Sequence, residues 1–325
     1  MDHWETFYRA GALAVCPGGS DSNYAREMRN VWVEFFGGLE DGARVLDVGT
    51  GNGAVALIAI ETAAAAGRRY SVHGTDLALI NPLAVAKTKR DLLRDITFHP
   101  ATPTEKLPFD DGYFDAVSSQ YAIEYSDPAV ALREICRVLR PGARARLSVH
   151  HAESRLSLSA RASLEESRSI LESERIYRRL HSFIVDDSTA RSGGVSDRRR
   201  AQRSWNELIG ALQRLPQSLP HGGHVTRVTL DAVSRLLDLR QTMSALRIGV
   251  EIDRVERELR ASARRLHDMV SALRDEVQIG LLARQAEDAG LRVAAVAPQF
   301  QAKTDLVAWL VDLQRPAPNA SSKWP

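Results

Sequence analysis

Cysteine and lysine are scarce in this chain, and long apolar runs are absent. The two cysteines, Cys16 and Cys136, stand 120 positions apart with no CxxC neighbour. Neither a disulfide framework nor a cysteine zinc cluster is expected; they read as free thiols of a reducing cytoplasm. The longest alanine run is Ala63 to Ala66. Nothing approaches the roughly 20 apolar residues of a membrane span. The first residues, MDHWETFYRAG, carry Asp2 and Glu5 and no apolar core, so no secretory signal is expected. Lysine occurs five times against 38 arginines, and the net charge is only +2. Net charge therefore gives no argument for nucleic acid. What is present is globular: 44% hydrophobic and 26% charged residues over 325 positions. That length suggests about two domains. The Ala- and Arg-rich composition fits a GC-rich bacterial genome.

Residues 1–40 read as an N-terminal helical segment, with Tyr24, Met28, Val31 and Phe35 at helical spacing and a break at Pro17-Gly18-Gly19. From 44 to 150, short apolar runs alternate with helical patterns. Strands are expected at Arg44–Val48, Tyr70–Asp76, Ile96–Pro100, Phe114–Ser119 and Ala143–His150. Helices are expected at Ala54–Ala66, Leu83–Leu93 and Pro128–Leu139, the last stopped by Pro141-Gly142. Such alternation predicts a parallel sheet covered on both faces. Residues 152–276 carry no strand pattern. They hold 22 arginines, no lysine and 18 acids, a solvated surface opposite apolar stripes. Here Thr189–Arg203 reads as a loop leading into a helix at Trp205–Leu215. A long helical pattern follows from Thr229 to Val277, which is expected to break at Gly249 or to pair between copies. The α/β rhythm resumes at 278–313 with a helix, Gly280–Ala289, and strands at Leu291–Val296 and Leu306–Val311. A Pro- and Ser-rich tail is expected to be mobile.

The most informative segment is Val45-Leu46-Asp47-Val48-Gly49-Thr50-Gly51-Asn52-Gly53, between an expected strand and an expected helix. Gly49 and Gly51 allow a tight turn and close backbone approach to a ligand. The amides opening the next helix favour a polar or negative group. The dinucleotide fingerprint is GxGxxG, which this is not, and Asp47 would repel a pyrophosphate. Asp47 is suited to accept from an ammonium or to hold the turn. Asp76, after the second strand, is placed to bind both hydroxyls of a ribose.

These elements, followed in order by LPFDDGYFDAV, SQYAIEY and REICRVLRPG, resemble the class I S-adenosylmethionine-dependent methyltransferases, and among them the ubiquinone/menaquinone biosynthesis branch. The resemblance covers residues 40–151 and 278–313. It implies a Rossmann-like α/β fold with seven strands ordered 3-2-1-4-5-7-6, carrying here a large all-helical insertion after the fifth strand. It implies S-adenosyl-L-methionine as cofactor and S-adenosyl-L-homocysteine as product. Gly49, Thr50, Gly51 and Gly53 would wrap the methionine part with help from Asp47. Asp76 would hold the ribose and Leu77 would pack on the adenine. Ser119 and Gln120 would lie near the transferable methyl. The family often has Asp-Ala before its LPF element. Here Pro103 and Thr104 stand there, leaving adenine recognition to Thr104 or Glu105. Asn81-Pro82 follows the second strand, whereas the Asn-Pro box of amino-group methyltransferases follows the fourth, so nucleobase methylation is disfavoured.

The sulfonium is already electrophilic, so the protein must hold the nucleophile in line and exclude water. A base is needed only for a protonated nucleophile. His150 and His151, at the carboxyl end of the fifth strand, and Tyr121, after the fourth, are the candidate catalytic residues. Strand alternation lets only one of the two histidines face the site. Glu124 faces the same region, and Tyr24 and Trp32 are candidates for a lid over the cofactor. His221 and His224 lack a third ligand nearby for a metal. Arg198-Arg199-Arg200 is a candidate anion patch, but only Trp205 supplies an aromatic beside it, which disfavours RNA. The insertion is placed to cover a substrate, to join two copies as a homodimer, or both. The expected activity is methyl transfer to a small-molecule acceptor by a cytoplasmic enzyme. The alternatives are a peptide or protein acceptor and a non-catalytic cofactor-binding scaffold.

Overall fold

The computed structural model describes residues 2–11, 13, 24, 26–215, 220–302 and 304–317. The chain divides into two compact units, Met1–Arg155 with Ala272–Pro325, and Leu156–Ser271.

The first unit is a seven-stranded sheet with helices on both faces. Its elements are α1 (Asp2–Arg9), α2 (Arg26–Gly37), β1 (Arg44–Val48), α3 (Ala54–Ala65), β2 (Ser71–Thr75), α4 (Pro82–Val85), α5 (Arg90–Leu93), β3 (Ile96–His99), β4 (Phe114–Gln120), α6 (Pro128–Val138) and β5 (Leu139–His150). After the second unit come α12 (Glu276–Asp288), β6 (Arg292–Gln301) and β7 (Asp305–Gln314). The strand order is β3-β2-β1-β4-β5-β7-β6, as the resemblance implied. Strands β1 to β5 are parallel, and β7 runs antiparallel between β5 and β6.

Alternation along each strand sorts the core into two layers. Val45 joins the layer of α2 and α3, with Trp32, Phe36 and Leu57. Leu46 and Val48 join that of α6 and α12, with Leu132, Ile135 and Leu282. Helix α3, AVALIAIETAAA, is buried almost all round, as a helix wrapped by its own domain must be apolar on every side. Helix α6 starts where Asp127 Oδ1 accepts from the amides of Ala129 and Val130, with Pro128 in its first turn.

The second unit is helical: α7 (Arg155–Arg168), a π-turn at Ser169–Ser173, α8 (Ile176–Ala190), α9 (Val195–Arg214), α10 (His224–Leu239) and α11 (Ala245–Ala272). Ile176, Leu180, Phe183, Leu208, Leu236, Ile248 and Ile252 form its core. Its surface arginines pair locally, as Arg254 does with Glu251 and Glu258, and Arg191 with Asp187. No helix among the described residues is long and apolar enough to cross a membrane.

Several local expectations are corrected. The Thr229–Val277 helix breaks at 240–244, not at Gly249, and two separate helices precede α12. Ser244 opens α11, its Oγ accepting from Arg247 N at 3.4 Å. Gly249 stays helical and serves close packing: a Cβ there would stand 3.1 Å from His181 Nε2. The expected loop Thr189–Arg203 is mostly the start of α9, anchored where Gly194 N donates to Asp197. Arg198–Arg200 are therefore helical, and Arg200 is paired to Asp186 at 2.8 Å. The Leu83–Leu93 helix is two single turns, because Ala86 is extended and Lys89 is left-handed at φ 55°. Strand β5 begins at Leu139 and runs through Pro141-Gly142. The expected turn at Pro17-Gly18-Gly19 and the end of the tail lie outside the described residues.

Candidate active site

The loop joining β1 to α3 is shaped by Asp47 beneath it. The Asp47 carboxylate is buried and accepts from Thr50 Oγ1 (2.7 Å) and Ser118 Oγ (2.8 Å). It thereby ties the ends of β1 and β4 together under the turn. Burial pushes its pKa up to about 6, against the opposing pull of those two hydrogen bonds. Of the two roles open to Asp47 in the sequence, the geometry shows the holding one. Gly49 is left-handed at φ 66°, and a Cβ there would lie 2.1 Å from Ala122 Cβ, so only glycine fits. Thr50 in turn packs on Gly74 of β2, where a Cβ would meet it at 2.7 Å.

Asp76 stands at the end of β2. Its Oδ2 accepts from Gly51 N and its Oδ1 from Ala78 N, both at 2.8 Å. Burial raises its pKa, and the two amides oppose the shift. Leu77 beside it is 52% exposed. Thr104 is half-buried, and Glu105 Oε1 accepts from Asp127 N at 2.9 Å, anchoring the start of α6.

Helix α1 lies over the loop. The Tyr8 ring comes within 2.8 Å of where a Gly51 Cβ would be. Asn52 Nδ2 donates to Tyr8 O at 3.0 Å. Trp4 stacks on Tyr8 and meets Tyr125 edge-on, with ring centroids 5.7 Å apart in the second pair. Burial and then the charge of Asp76 hold the Tyr8 phenol well above its ordinary pKa. The aromatic cover is thus α1, not the Tyr24 and Trp32 expected from sequence. Trp32 is fully buried against Phe36 and donates Nε1–H to Gln120 Oε1, and Tyr24 belongs to the core. The available signal was the cluster Trp4, Phe7, Tyr8 in the first residues.

The ends of β4 and β5 complete the region. Ser119 and Gln120 point to opposite faces of the sheet, as do His150 and His151. His151 stacks on Trp309 at 4.3 Å and its Nδ1 accepts from Glu153 N, so it packs the β5–β7 side. His150 is 1% exposed and lies flat on Tyr121, with ring centroids 4.0 Å apart and planes 2° from parallel. Burial lowers its pKa to about 3, so the imidazole is neutral. Tyr121, left-handed at φ 54°, donates its hydroxyl to Val307 O at 3.2 Å. That bond engages the hydroxyl proton of Tyr121. Glu124 is wholly buried, its Oε1 accepts from His150 N at 2.8 Å, and burial raises its pKa to about 7.

The seven-stranded sheet thus carries a glycine turn after β1 and a buried carboxylate after β2. Residues 46–147 match the family model described as a methyltransferase domain. The chain resembles the class I S-adenosylmethionine-dependent methyltransferases, and the ubiquinone/menaquinone branch in particular. It is 34% identical over 121 residues to the ubiquinone/menaquinone biosynthesis C-methyltransferase UbiE of Chromobacterium violaceum, covering 35% of this chain and 47% of that one. The corresponding protein of Nitrosospira multiformis is 35% identical over 121 residues with the same coverage. The demethylmenaquinone methyltransferase of Thermus thermophilus is 39% identical over 103 residues, 31% of this chain and 44% of that one. The chain thus matches a little under half the length of these relatives.

Proposed function

We propose that this chain is an S-adenosylmethionine-dependent methyltransferase acting on a small-molecule acceptor. The observation that carries the reading is Asp76, a buried carboxylate wired to the glycine loop through Gly51 N. Each of its oxygens accepts one main-chain amide and keeps another lone-pair direction, which suits the two hydroxyls of a ribose. Thr75 Oγ1, buried without a partner in the preceding position, is a further polar atom for that end. The left-handed glycines at 49, 51 and 53 leave the loop free of side chains toward a methionine moiety, and Leu77 offers an exposed apolar face to an adenine. The residues present fit the cofactor. Bound there, it supplies an electrophilic methyl group on a sulfonium.

The chain's own contribution is placement and exclusion of water. Asp47 and Thr50 hold the loop, Trp4 and Tyr8 close over it, and Gln120 reaches from β4 toward the reacting end. Of the three catalytic candidates, His150 is the one with a free polar atom. Tyr121 stacks on it, and His151 packs on Trp309 on the opposite face.

Calorimetric titration with S-adenosylhomocysteine, with NADH in parallel, tests this reading. We expect micromolar binding of the first and none of the second. Asp76→Ala should weaken binding by about 1–3 kcal/mol through lost charged hydrogen bonds. Binding of NADH alone, or no loss in the Asp76 variant, would reject the assignment. Binding without turnover over a broad acceptor panel would favour a scaffold.

A further inference from the structure

At the ends of β4 and β5 the buried polar atoms without a partner include Gln120 Nε2, Ser148 Oγ and His150 Nδ1, with Ser119 Oγ on the opposite face. Gln120 and Ser148 are direct register partners, and His150 lies two residues beyond Ser148 on the same strand. In a parallel pair, register partners point to one face, and so do residues two apart. The three side chains therefore form one row on the face of α2. The row sits at the carboxyl edge of the sheet, where open α/β sheets bind ligands. Buried polar groups without partners are uncommon in native proteins, and a group of them needs a reason.

The chemistry of the row is definite. Trp32 Nε1–H can only donate, so it fixes the Gln120 carbonyl toward itself and leaves Nε2 as a free donor. His150 is neutral and presents Nδ1. Among the described residues the guanidiniums of this region are engaged: Arg146, two residues before Ser148, pairs with Asp312 at 2.6 Å and donates to Val31 O, and Arg274 donates to the carbonyls of Glu124 (3.0 Å) and Leu273 (3.2 Å). An anionic acceptor would lose its hydration there with no charge to meet it. His150 is also held firmly at its main chain. Its N–H donates to Glu124 Oε1 at 2.8 Å, and its carbonyl accepts from Arg274 N at 2.9 Å. The other Glu124 oxygen has no partner.

We propose that Gln120, Ser148 and His150 form the acceptor subsite, that the acceptor is uncharged and offers an O–H or N–H to His150 Nδ1, and that Glu124 is the positioning residue that aims His150. The proposal rests on the methyltransferase reading above. On the α1 side the row is covered by aromatics, Trp4 packing on Tyr125 and Tyr125 on His150. As the bond from methyl to the acceptor atom forms, the methyl–sulfur bond breaks and its electron pair goes to sulfur, leaving a neutral thioether. The acceptor's proton passes to His150 Nδ1, its bonding pair stays on the acceptor atom, and the proton then leaves to solvent. A weakly basic imidazole suffices, because the acceptor atom becomes strongly acidic as it takes on the methyl group.

The titratable and charged groups around Glu124 are His150 on β5, Arg274 before α12, and Tyr121 and Tyr125 beside it. The test is imidazole nitrogen NMR of the full chain saturated with S-adenosylhomocysteine, with His150 assigned through His150→Gln. The probes are phenol, anisole and benzoate. Phenol should shift the His150 Nδ1 resonance, while anisole, lacking the O–H, and benzoate, an anion, should not. In the native protein the His150 signal should inflect near pH 7 as Glu124 titrates. Glu124→Gln keeps an oxygen acceptor for His150 N, so it should remove the inflection yet bind phenol within a few-fold of native. Glu124→Ala should weaken phenol binding about tenfold, the scale of one lost hydrogen bond to a buried group. Equal shifts from benzoate, no shift from phenol, or an inflection unchanged in Glu124→Gln would overturn the proposal. If the variants fail to fold, the native probe series and pH series decide it. Failure to bind S-adenosylhomocysteine at the outset would instead sink the cofactor reading.

Discussion

Each unit buries one glutamate completely, and the two are treated differently. Glu166 in the helical unit uses both carboxylate oxygens, accepting from Gly223 N at 2.6 Å and Thr226 N at 2.7 Å. It caps the start of α10 from a neighbouring helix, where the amides have no other partner. Glu124 in the α/β unit uses one side-chain oxygen and leaves the other without a partner. Glu166 spends both oxygens on one helix start and acts as a structural fastener. Glu124 keeps an oxygen over, beside the other unpartnered atoms of the proposed acceptor subsite.

The sharpest way to break the comparison is to remove the fastener. Glu166→Ala strands two buried amides and should cost the helical unit about 4 kcal/mol, from two charge-assisted bonds. Urea unfolding followed by circular dichroism would show it. A loss below about 1 kcal/mol would mean that Glu166 is no more constrained than a surface residue.

The next test concerns Glu124 and pH. Its folded pKa is raised to about 7 from 4.5, so the native state holds the proton more tightly than the unfolded chain. Its contribution is fully present below pH 4.5 and is lost as pH rises through about 7. That loss amounts to about 3 kcal/mol. His150 works the other way. Its pKa is lowered to about 3, so its contribution is present above pH 6.5 and is lost as pH falls toward 3. Comparing the native protein with Glu124→Gln isolates the first effect. Their stability difference should change by about 3 kcal/mol between pH 4.5 and 8. A constant difference would show that Glu124 is not buried in solution.

The smallest effect expected is none. Replacing residues 156–271 with a short linker should leave affinity for S-adenosylhomocysteine unchanged, because every group assigned to the cofactor lies in the α/β unit. The cut is feasible because Arg274 bridges to His151, and Ala152 N donates to Arg274 O at 2.9 Å. A tenfold loss of affinity would place part of the cofactor site in the helical unit.

Much of the α/β unit was legible because its signals are local. The short strand Arg44–Val48 with its Asp47 before a glycine turn, or Gly290 stopping a helix, can be read without knowing what packs nearby. The strand order came from the resemblance, since pairing is not local. What was missed depends on contacts distant in sequence. Gly249 reads as a helix breaker until His181 is seen against it. Trp32 reads as a lid residue until its indole is found on Gln120, 88 positions away. Tyr8 reads as an unremarkable aromatic until it is seen to cover Gly51. Thr104 is half-buried and Ser119 fully buried.

The position of β7 between β5 and β6 has a consequence for synthesis. The strand that closes β5 lies beyond the whole helical unit in the chain. At about 5–20 residues per second, a ribosome spends roughly 6–23 s on that unit after β5 has emerged. Throughout that interval the nascent sheet carries β5 as an open edge with unpaired amides and carbonyls, the kind of surface that recruits other strands. The helical unit, contiguous in sequence, is free to fold during the same wait. The β5 edge closes only once β7 has been made.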